Sequence, residues 1–354
     1  MSKILINEIN EQAACIARLV QNARPEARRI AQELKGQFDY ILVTSRGSSE
    51  NAGRYAQYLM QTAAGYPVAL TRPSIYTLYE RPPQLKNALM LGISQSGASP
   101  DLLAVFREAR AQGRPTVLIT NTPDSPMAQI SDYVLDLNCG KEYATAATKS
   151  YTATLAAIAL LAEAFQPEGG LVRYADLQAL PAQLEQVLQR YNDPRESPVS
   201  ASPHLEKLVN MPYLVVLGRG YNNATAFEIE LKLKELSGLT TVAYSAADFL
   251  HGPIACIQPG YPVLGVLPRG ATLGPVLETM RMAQARGAWL AMISDDPGTL
   301  ALADMPMWIP EGIPEYLSPV SDVIPGQFLG MALGAARGVN VDQPDGIHKV
   351  TETW

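Results

Sequence analysis

An α/β fold of two tandem, doubly wound parallel-sheet domains is what this 354-residue sequence predicts. Short, continuous apolar runs alternate with longer amphipathic segments, the pattern left by strands that helices bury on both faces. The order of those runs recurs at an offset of about 173 residues, as in a tandem duplication. Between the two copies lies NDPRESPVSASP, dense in Pro and Ser and suited to a boundary.

Two helices are expected first, over 5–21 and 25–36, the second opening on Pro25, where a missing N–H costs nothing. The first copy then supplies strands at DYILVTS (39–45), PVAL (67–70), ALMLGIS (88–94), TVLIT (116–120) and DYVLDL (132–137). A polar helical stretch, LQALPAQLEQVLQRY, precedes the boundary. The second copy repeats the strands at YLVVLG (213–218), TVAYS (241–245), PVLGVLP (262–268), WLAMIS (289–294) and MPMWIP (305–310). Gly218-Arg219-Gly220 falls on Ser45-Arg46-Gly47 at this offset. FEIELKLKEL (227–236) alternates strictly enough for a strand, but Glu, Leu and Lys favour helix and a glycine-rich turn precedes it, so a helix is predicted. The expected organisation is N-terminal helices over 1–38, a first domain over 39–170, a linker helix and loop over 171–205, a second domain over 206–340, and a tail over 341–354. In such sheets the site lies beyond the carboxyl ends of the strands.

Composition excludes several functions. A net charge of −6 argues against a protein that binds by covering nucleic-acid phosphates. The longest unbroken apolar stretch runs from Leu155 to Ala162, against roughly 20 residues needed to cross a bilayer. Glu8 and Glu11 interrupt any leader-like apolar segment, so a cytoplasmic protein with neither nucleic-acid nor membrane partners is expected. Cys15, Cys139 and Cys256 are odd in number and far apart, which suits neither a disulfide framework nor a zinc site. They are expected to be packing residues, and no metal or cofactor is implied.

After the third strand comes Ser94-Gln95-Ser96-Gly97-Ala98-Ser99-Pro100-Asp101, and then a helical pattern. Ser99 suits an N-cap and Pro100 a first helical turn. Free N–H groups, the helix dipole and three hydroxyls around a glycine would hold a phosphate monoester; a plain turn and cap is the alternative. A second hydroxyl-bearing loop, Gly47-Ser48-Ser49-Glu50-Asn51, leaves the first strand in the same way. The counterpart of SQSGAS in the second copy is LPRGAT (267–272), which has lost the serines. One phosphate site, in the first copy, is therefore predicted.

In the second copy Glu228, Lys232 and Glu235 fall at i, i+4 and i+7, on one helical face. A solvated Glu–Lys face gives the same spacing. His251 stands in Asp248-Phe249-Leu250-His251-Gly252-Pro253, where a turn or a packed ring is the alternative to chemistry. Lys349, in HKVTETW, would ordinarily be a tail lysine.

Taken together, GSS, SQSG, GRG…ELKLKE, FLHGP and a VDQP…K tail resemble the tandem sugar isomerase (SIS) domain family from about residue 35 onward. The order of motifs is similar to the isomerase half of glucosamine-6-phosphate synthase (glutamine–fructose-6-phosphate aminotransferase) and to stand-alone glucosamine-6-phosphate deaminases of that type. The resemblance implies flavodoxin-like domains in which Ser48, Ser49, Ser94, Gln95, Ser96 and Ser99 hold the substrate phosphate. It implies that Glu235 moves a proton between C1 and C2, and that His251, supplied by the neighbouring subunit of a homodimer, opens the sugar ring. Lys349 would lie over the sugar carbonyl and form a Schiff base, with Lys232 in the catalytic set and Glu228 lining the substrate pocket. This chain departs from the synthase at Ala98, where a glutamate is usual, at Ala147 in the Ala146-Ala147-Thr148 run, and at His348, where a small residue is usual. The RGSS and KVTET spellings lean towards the deaminases.

The synthase draws ammonia from a glutaminase domain with an N-terminal cysteine nucleophile, and here the first cysteine is Cys15. The expected reaction is therefore release of ammonia from glucosamine 6-phosphate, giving fructose 6-phosphate, without metal or cofactor. A glutaminase-less aminotransferase or isomerase, or a deglycase on another ketose or aldose phosphate, is the enzymatic alternative. A non-catalytic sugar-phosphate sensor is the alternative of another class; it would need the serines but not Glu235, His251 and Lys349.

Overall fold

The computed structural model describes residues 3–349. Two helices open the chain, α1 (Ile4–Asn10) and α2 (Gln12–Leu34). They are followed by β1 (Tyr40–Thr44), α3 (Ser48–Ala64), β2 (Val68–Leu70), α4 (Ser74–Thr77), β3 (Ala88–Ile93), α5 (Pro100–Ala111), β4 (Thr116–Thr120), α6 (Pro126–Gln129), β5 (Tyr133–Asp136) and α7 (Lys149–Phe165). After α8 (Tyr174–Asn192) and α9 (Leu205–Val209), the series recurs as β6 (Tyr213–Gly218), α10 (Asn222–Ser237), β7 (Thr240–Ser245), α11 (Ala246–Leu250), β8 (Pro262–Val266), α12 (Leu273–Ala285), β9 (Trp289–Ser294), α13 (Pro297–Leu300), β10 (Met305–Trp308) and α14 (Ser318–Ala336).

The first sheet runs β2-β1-β3-β4-β5 and the second β7-β6-β8-β9-β10, the same order, and every neighbouring pair is parallel. The predicted two-copy, doubly wound architecture is therefore correct, and each strand falls within two residues of its expected bounds. β3, β4, β8 and β9 are buried along their whole length, as continuous apolar runs covered on both faces must be. In the first sheet Leu42, Met90 and Leu118 pack with Val105 and Phe106 of α5. In the second, Val215, Val263, Leu290 and Met292 pack with Phe249 and Met280. Strand order reverses between β1 and β3, and again between β6 and β8, which marks the two crevices where such sheets accept ligands.

By contacts the chain forms two compact units, and neither is one continuous segment. The unit of the first sheet comprises 14–143, 149–178 and the tail from His348; that of the second comprises 3–13, 144–148 and 179–347. Val350, Thr351, Glu352 and Thr353 of the KVTET string lie outside the described residues.

The N-terminal helices differ from expectation. The break falls at Glu11 rather than before Pro25, and Pro25 sits inside α2. A mid-helix proline costs about 3 kcal/mol. Offsetting it, Ile16, Leu19, Val20, Ala23, Ala27, Ile30, Ala31 and Leu34 form one buried stripe that runs through the proline. Cys256 is also a correction: Cys15 and Cys139 are buried as expected, but Cys256 is exposed.

In the second unit Gly326, Gly330 and Gly334 of α14 face Ile229 and Leu236 of α10, so the two helices lie close together. Arg337 finishes the arrangement. Its guanidinium donates to the carbonyls of Val209 (3.1 Å), Ser237 (3.2 Å) and Met211 (2.8 Å), tying α9 and the end of α10 to α14. No helix among the described residues is long and apolar enough to cross a membrane.

Candidate active site

In the first unit, two loops flank the crevice between β1 and β3. Gly47 caps α3, which places Ser48 and Ser49 in that helix's first turn, half-buried. Ser94 is buried at the end of β3, and its hydroxyl accepts the Gly97 N–H at 3.1 Å. Gly97 takes a positive φ of 58°, and a Cβ there would lie 2.0 Å from Ser125 Oγ, so the turn needs glycine. Ser99 is the N-cap of α5 with Pro100 following, but its hydroxyl makes no capping bond. Ser96 and Gln95 are half-buried on the same turn.

Arg46 and Asp101 join these loops. The guanidinium donates through Nε (2.8 Å) and a terminal nitrogen (2.7 Å) to one oxygen of the Asp101 carboxylate, which is fully buried. The loop after β3 is linked in turn to those after β4 and β5. The Gln95 carbonyl accepts from Asn121 N–H and from the Thr120 and Thr122 hydroxyls, each at 3.2 Å. Asn121 then donates to the Gly140 carbonyl and accepts from Cys139 N–H.

Glu142 follows immediately. Its carboxylate accepts from Ser150 N–H (3.1 Å) and Ser150 Oγ (2.6 Å) at the start of α7, and from Lys349 Nζ at 2.6 Å. The Glu142 side chain is sealed from solvent, while that of Lys349 is 23% exposed. The amine is thus held by a buried carboxylate yet remains open on one side. Beside it, Lys149 is buried and donates to the Lys141 carbonyl.

In the second unit Glu228, Lys232 and Glu235 share one face of α10, as their spacing predicts. The face is not a solvated one: the Glu228 and Lys232 side chains are 0% and 1% exposed. Lys232 Nζ lies 3.4 Å from Glu228 Oε1 and also donates to Glu235 Oε2. Glu235, 23% exposed, is the one member of the trio that reaches the surface. His251 ends α11 as an exposed residue, and its ring makes no hydrogen bond among the described residues.

The buried carboxyl of Asp322, on α14, is pushed well above the usual aspartate range by loss of hydration; the Ser321 hydroxyl pulls it down and the nearby Asp295 pushes it up. Its folded pKa being raised, the native state holds a proton that the unfolded chain has released, so stability falls as pH rises above about 4. Asp322→Asn should remove that dependence. Chemical denaturation from pH 4 to 8 is expected to show the variant gaining on the wild type as pH increases, and parallel curves would contradict it.

Sequence reasoning missed Glu142 and the Arg46–Asp101 clamp. A signal for the first existed: at the repeat offset of about 173, Glu142 aligns with Glu315, so both copies keep a glutamate ahead of their last helix. A hollow of 430 Å³ opens at the opposite edge of the first sheet, lined by Leu34, Gln37, Arg110, Arg114, Asp132 and Tyr133, and includes none of the candidate residues. Among the described residues no group of three or more His, Cys, Asp or Glu is arranged to hold a metal ion.

Known proteins resemble this chain in sequence and fold. Glutamine–fructose-6-phosphate aminotransferase (isomerizing) of Pyrococcus horikoshii is 32% identical over 350 residues, covering 98% of this chain and 57% of that protein. The Zymomonas mobilis protein of the same name is 32% identical over 359 residues, covering 97% and 57%. The chain thus spans under two thirds of the length of these relatives. Among solved structures, the C-terminal domain of glucosamine-fructose-6-phosphate aminotransferase from Francisella tularensis superposes with a TM-score of 0.86 at 24% identity, covering 97% of this chain and 99% of that one. Glucosamine-6-phosphate deaminase from Thermotoga maritima gives 0.76 at 20% identity, covering 99% and 100%. These last two likenesses establish the fold. A match to the SIS domain spans residues 37–164 and 207–306, taking in β1 to β9 with their crevice loops and reaching the start of β10, and by it this chain belongs to the SIS domain family.

Proposed function

We propose that this SIS protein deaminates glucosamine 6-phosphate, with water, to fructose 6-phosphate and ammonia. The observation that carries the reading is the Lys349 amine, held on the buried Glu142 carboxylate in the unit that bears the hydroxyl-lined loops. A binding module has no use for such an amine, and a simple aldose–ketose isomerisation forms no imine for it to exchange with.

Ser48, Ser49, Ser94, Gln95, Ser96 and Ser99 take the phosphoryl group, and that remote binding energy orients the reacting carbons. His251 assists opening of the pyranose ring. Glu235 removes the proton from C2 and returns it to C1, converting the amino aldehyde into an imine at C2. The neighbouring Lys232 Nζ donates to its carboxylate and holds it in place. Lys349 attacks the C2 imine and expels ammonia, and water then hydrolyses the enzyme-bound imine to the ketone. Lys232 and Glu228 support this chemistry from the buried side of α10. We further propose that the active species is a homodimer with His251 contributed across the subunit boundary.

Incubating the purified chain with glucosamine 6-phosphate should yield ammonia and fructose 6-phosphate in equal amounts. Tight binding with no product would leave a sugar-phosphate sensor. Product formation only from fructose 6-phosphate plus ammonia would reverse the assigned direction.

A further inference from the structure

The second unit repeats the strand-to-helix loop that bears the phosphate serines in the first, but there the loop is filled by the protein itself. α12 starts at Leu273 as α5 starts at Pro100, so at the offset of about 173 Gly270, Ala271 and Thr272 stand for Gly97, Ala98 and Ser99. Across this loop lies the carboxylate of Glu315. Its Oε2 accepts the Ala271 N–H at 2.7 Å, and its Oε1 accepts the Thr272 N–H at 3.1 Å and the Thr272 hydroxyl at 2.6 Å. Adjacent backbone N–H groups and a hydroxyl converging on one anionic group form the donor set that a phosphate monoester takes at such a loop. Gly270 makes the seat: a Cβ there would fall 2.3 Å from both the carboxylate carbon and Oε2 of Glu315.

The rest of the second crevice is closed in the same sense. Asn222 donates to Ser318 Oγ at 2.7 Å, the Ser318 hydroxyl donates to the Glu315 carbonyl at 3.0 Å, and Ser321 donates to Asp322 at 2.8 Å. All four of Asn222, Ser318, Ser321 and Asp322 are buried. Arg269, the cation nearest in sequence, is paired with Asp296 and Glu311. At the same offset Asp322 replaces Lys149, so the head of the last helix carries an acid where the first copy carries a cation. Glu142, the counterpart of Glu315, serves Ser150 and Lys349.

We propose that Glu315 is a built-in stand-in for a phosphoryl group, filling the anion cradle of the second copy so that each chain takes one phosphosugar, in its first copy only. The inference rests on the proposed phosphate role of the first loop for the nature of the anion, and its test is arranged to be read separately.

The test uses the full chain carrying Ser94→Ala and Ser96→Ala, so that the first loop contributes little, with and without Glu315→Ala. Thermal melting is followed against inorganic phosphate up to ~20 mM, with chloride matching the ionic strength. With Glu315 present, phosphate should add nothing beyond chloride. With Glu315→Ala the melting temperature should start lower and rise by about 3 °C or more as phosphate refills the seat. Equal phosphate responses in the two chains would overturn the proposal. Should Glu315→Ala fail to fold, Glu315→Ser also vacates the seat while keeping a small polar side chain at the position, and should show the same phosphate response; the absence of that response would again overturn it. Binding of glucosamine 6-phosphate to the chain with Glu315 present reports on the first loop independently. If Ser94→Ala and Ser96→Ala leave that binding unchanged, the first-loop reading fails, whatever the Glu315 arm shows.

Discussion

Glu235→Gln is expected to lower kcat for ammonia release by about 10²- to 10⁴-fold, the usual worth of one positioned proton carrier. Gln has the same shape and can still accept from Lys232 Nζ, so the melting temperature should move little and the KM only modestly. The geometry favours this residue over its helical neighbour. Glu228 is sealed, whereas Glu235 keeps 23% of its side chain exposed while sharing the same lysine. Steady-state kinetics with coupled detection of ammonia and fructose 6-phosphate make the measurement, and turnover within about threefold of wild type would remove Glu235 from the mechanism. In mixed dimers, a Glu235→Gln chain and a His251→Ala chain, each inactive alone, should together recover part of the activity. Verified heterodimers without recovery would count against a shared site.

The largest effect on stability is expected from Lys232→Met. Removing the ammonium takes the paired cation from the Glu228 carboxylate in a site with no solvent access, and breaking a buried pair in this way costs about 3–5 kcal/mol. The double variant Glu228→Gln/Lys232→Met should recover most of that loss, because no uncompensated charge remains. On the other face of the same helix, the pair Lys234–Glu230 supplies a control: Lys234 is 45% exposed, and Lys234→Met should cost at most about 1 kcal/mol. Urea unfolding of the four chains would measure all of this. A loss below about 1 kcal/mol for Lys232→Met would mean that other bonds satisfy Glu228.

Which parts of the fold and site could be read in advance follows from what each pattern encodes. Runs such as ALMLGIS and WLAMIS have no polar face, so they specify strands covered on both sides, and their repetition specifies two sheets of one order. The Glu228, Lys232, Glu235 spacing specifies a shared face but not what lies over it. That face is buried because Gly326, Gly330 and Gly334 let α14 approach α10, a property of a helix about a hundred residues away. Helix boundaries failed at Pro25 because a local rule about proline was outweighed by an apolar stripe running the length of the 23-residue α2, whose burial is a tertiary effect. Glu142 and Glu315 were invisible for a similar reason. Their roles depend on loops closing over particular N–H groups, and only the alignment of one copy on the other hints that the two glutamates are related.

The discontinuity of the two units bears on how a duplicated chain ages. The segment that opens the chain belongs with its far end: Leu5 N–H donates to Asp342 at 2.8 Å, Gln12 bonds Gln327 at 2.9 Å, and Glu8 accepts from Ala144 N–H. A gene cut at the Pro- and Ser-rich loop would therefore release two products each missing a strip of its own wall, with Leu5 and Ile9 left facing water in one of them. Copies interlaced in this way cannot be lost or shuffled singly. Each is free to drift in chemistry, one loop keeping its serines and the other taking a carboxylate, while the chain as a whole is inherited as one piece.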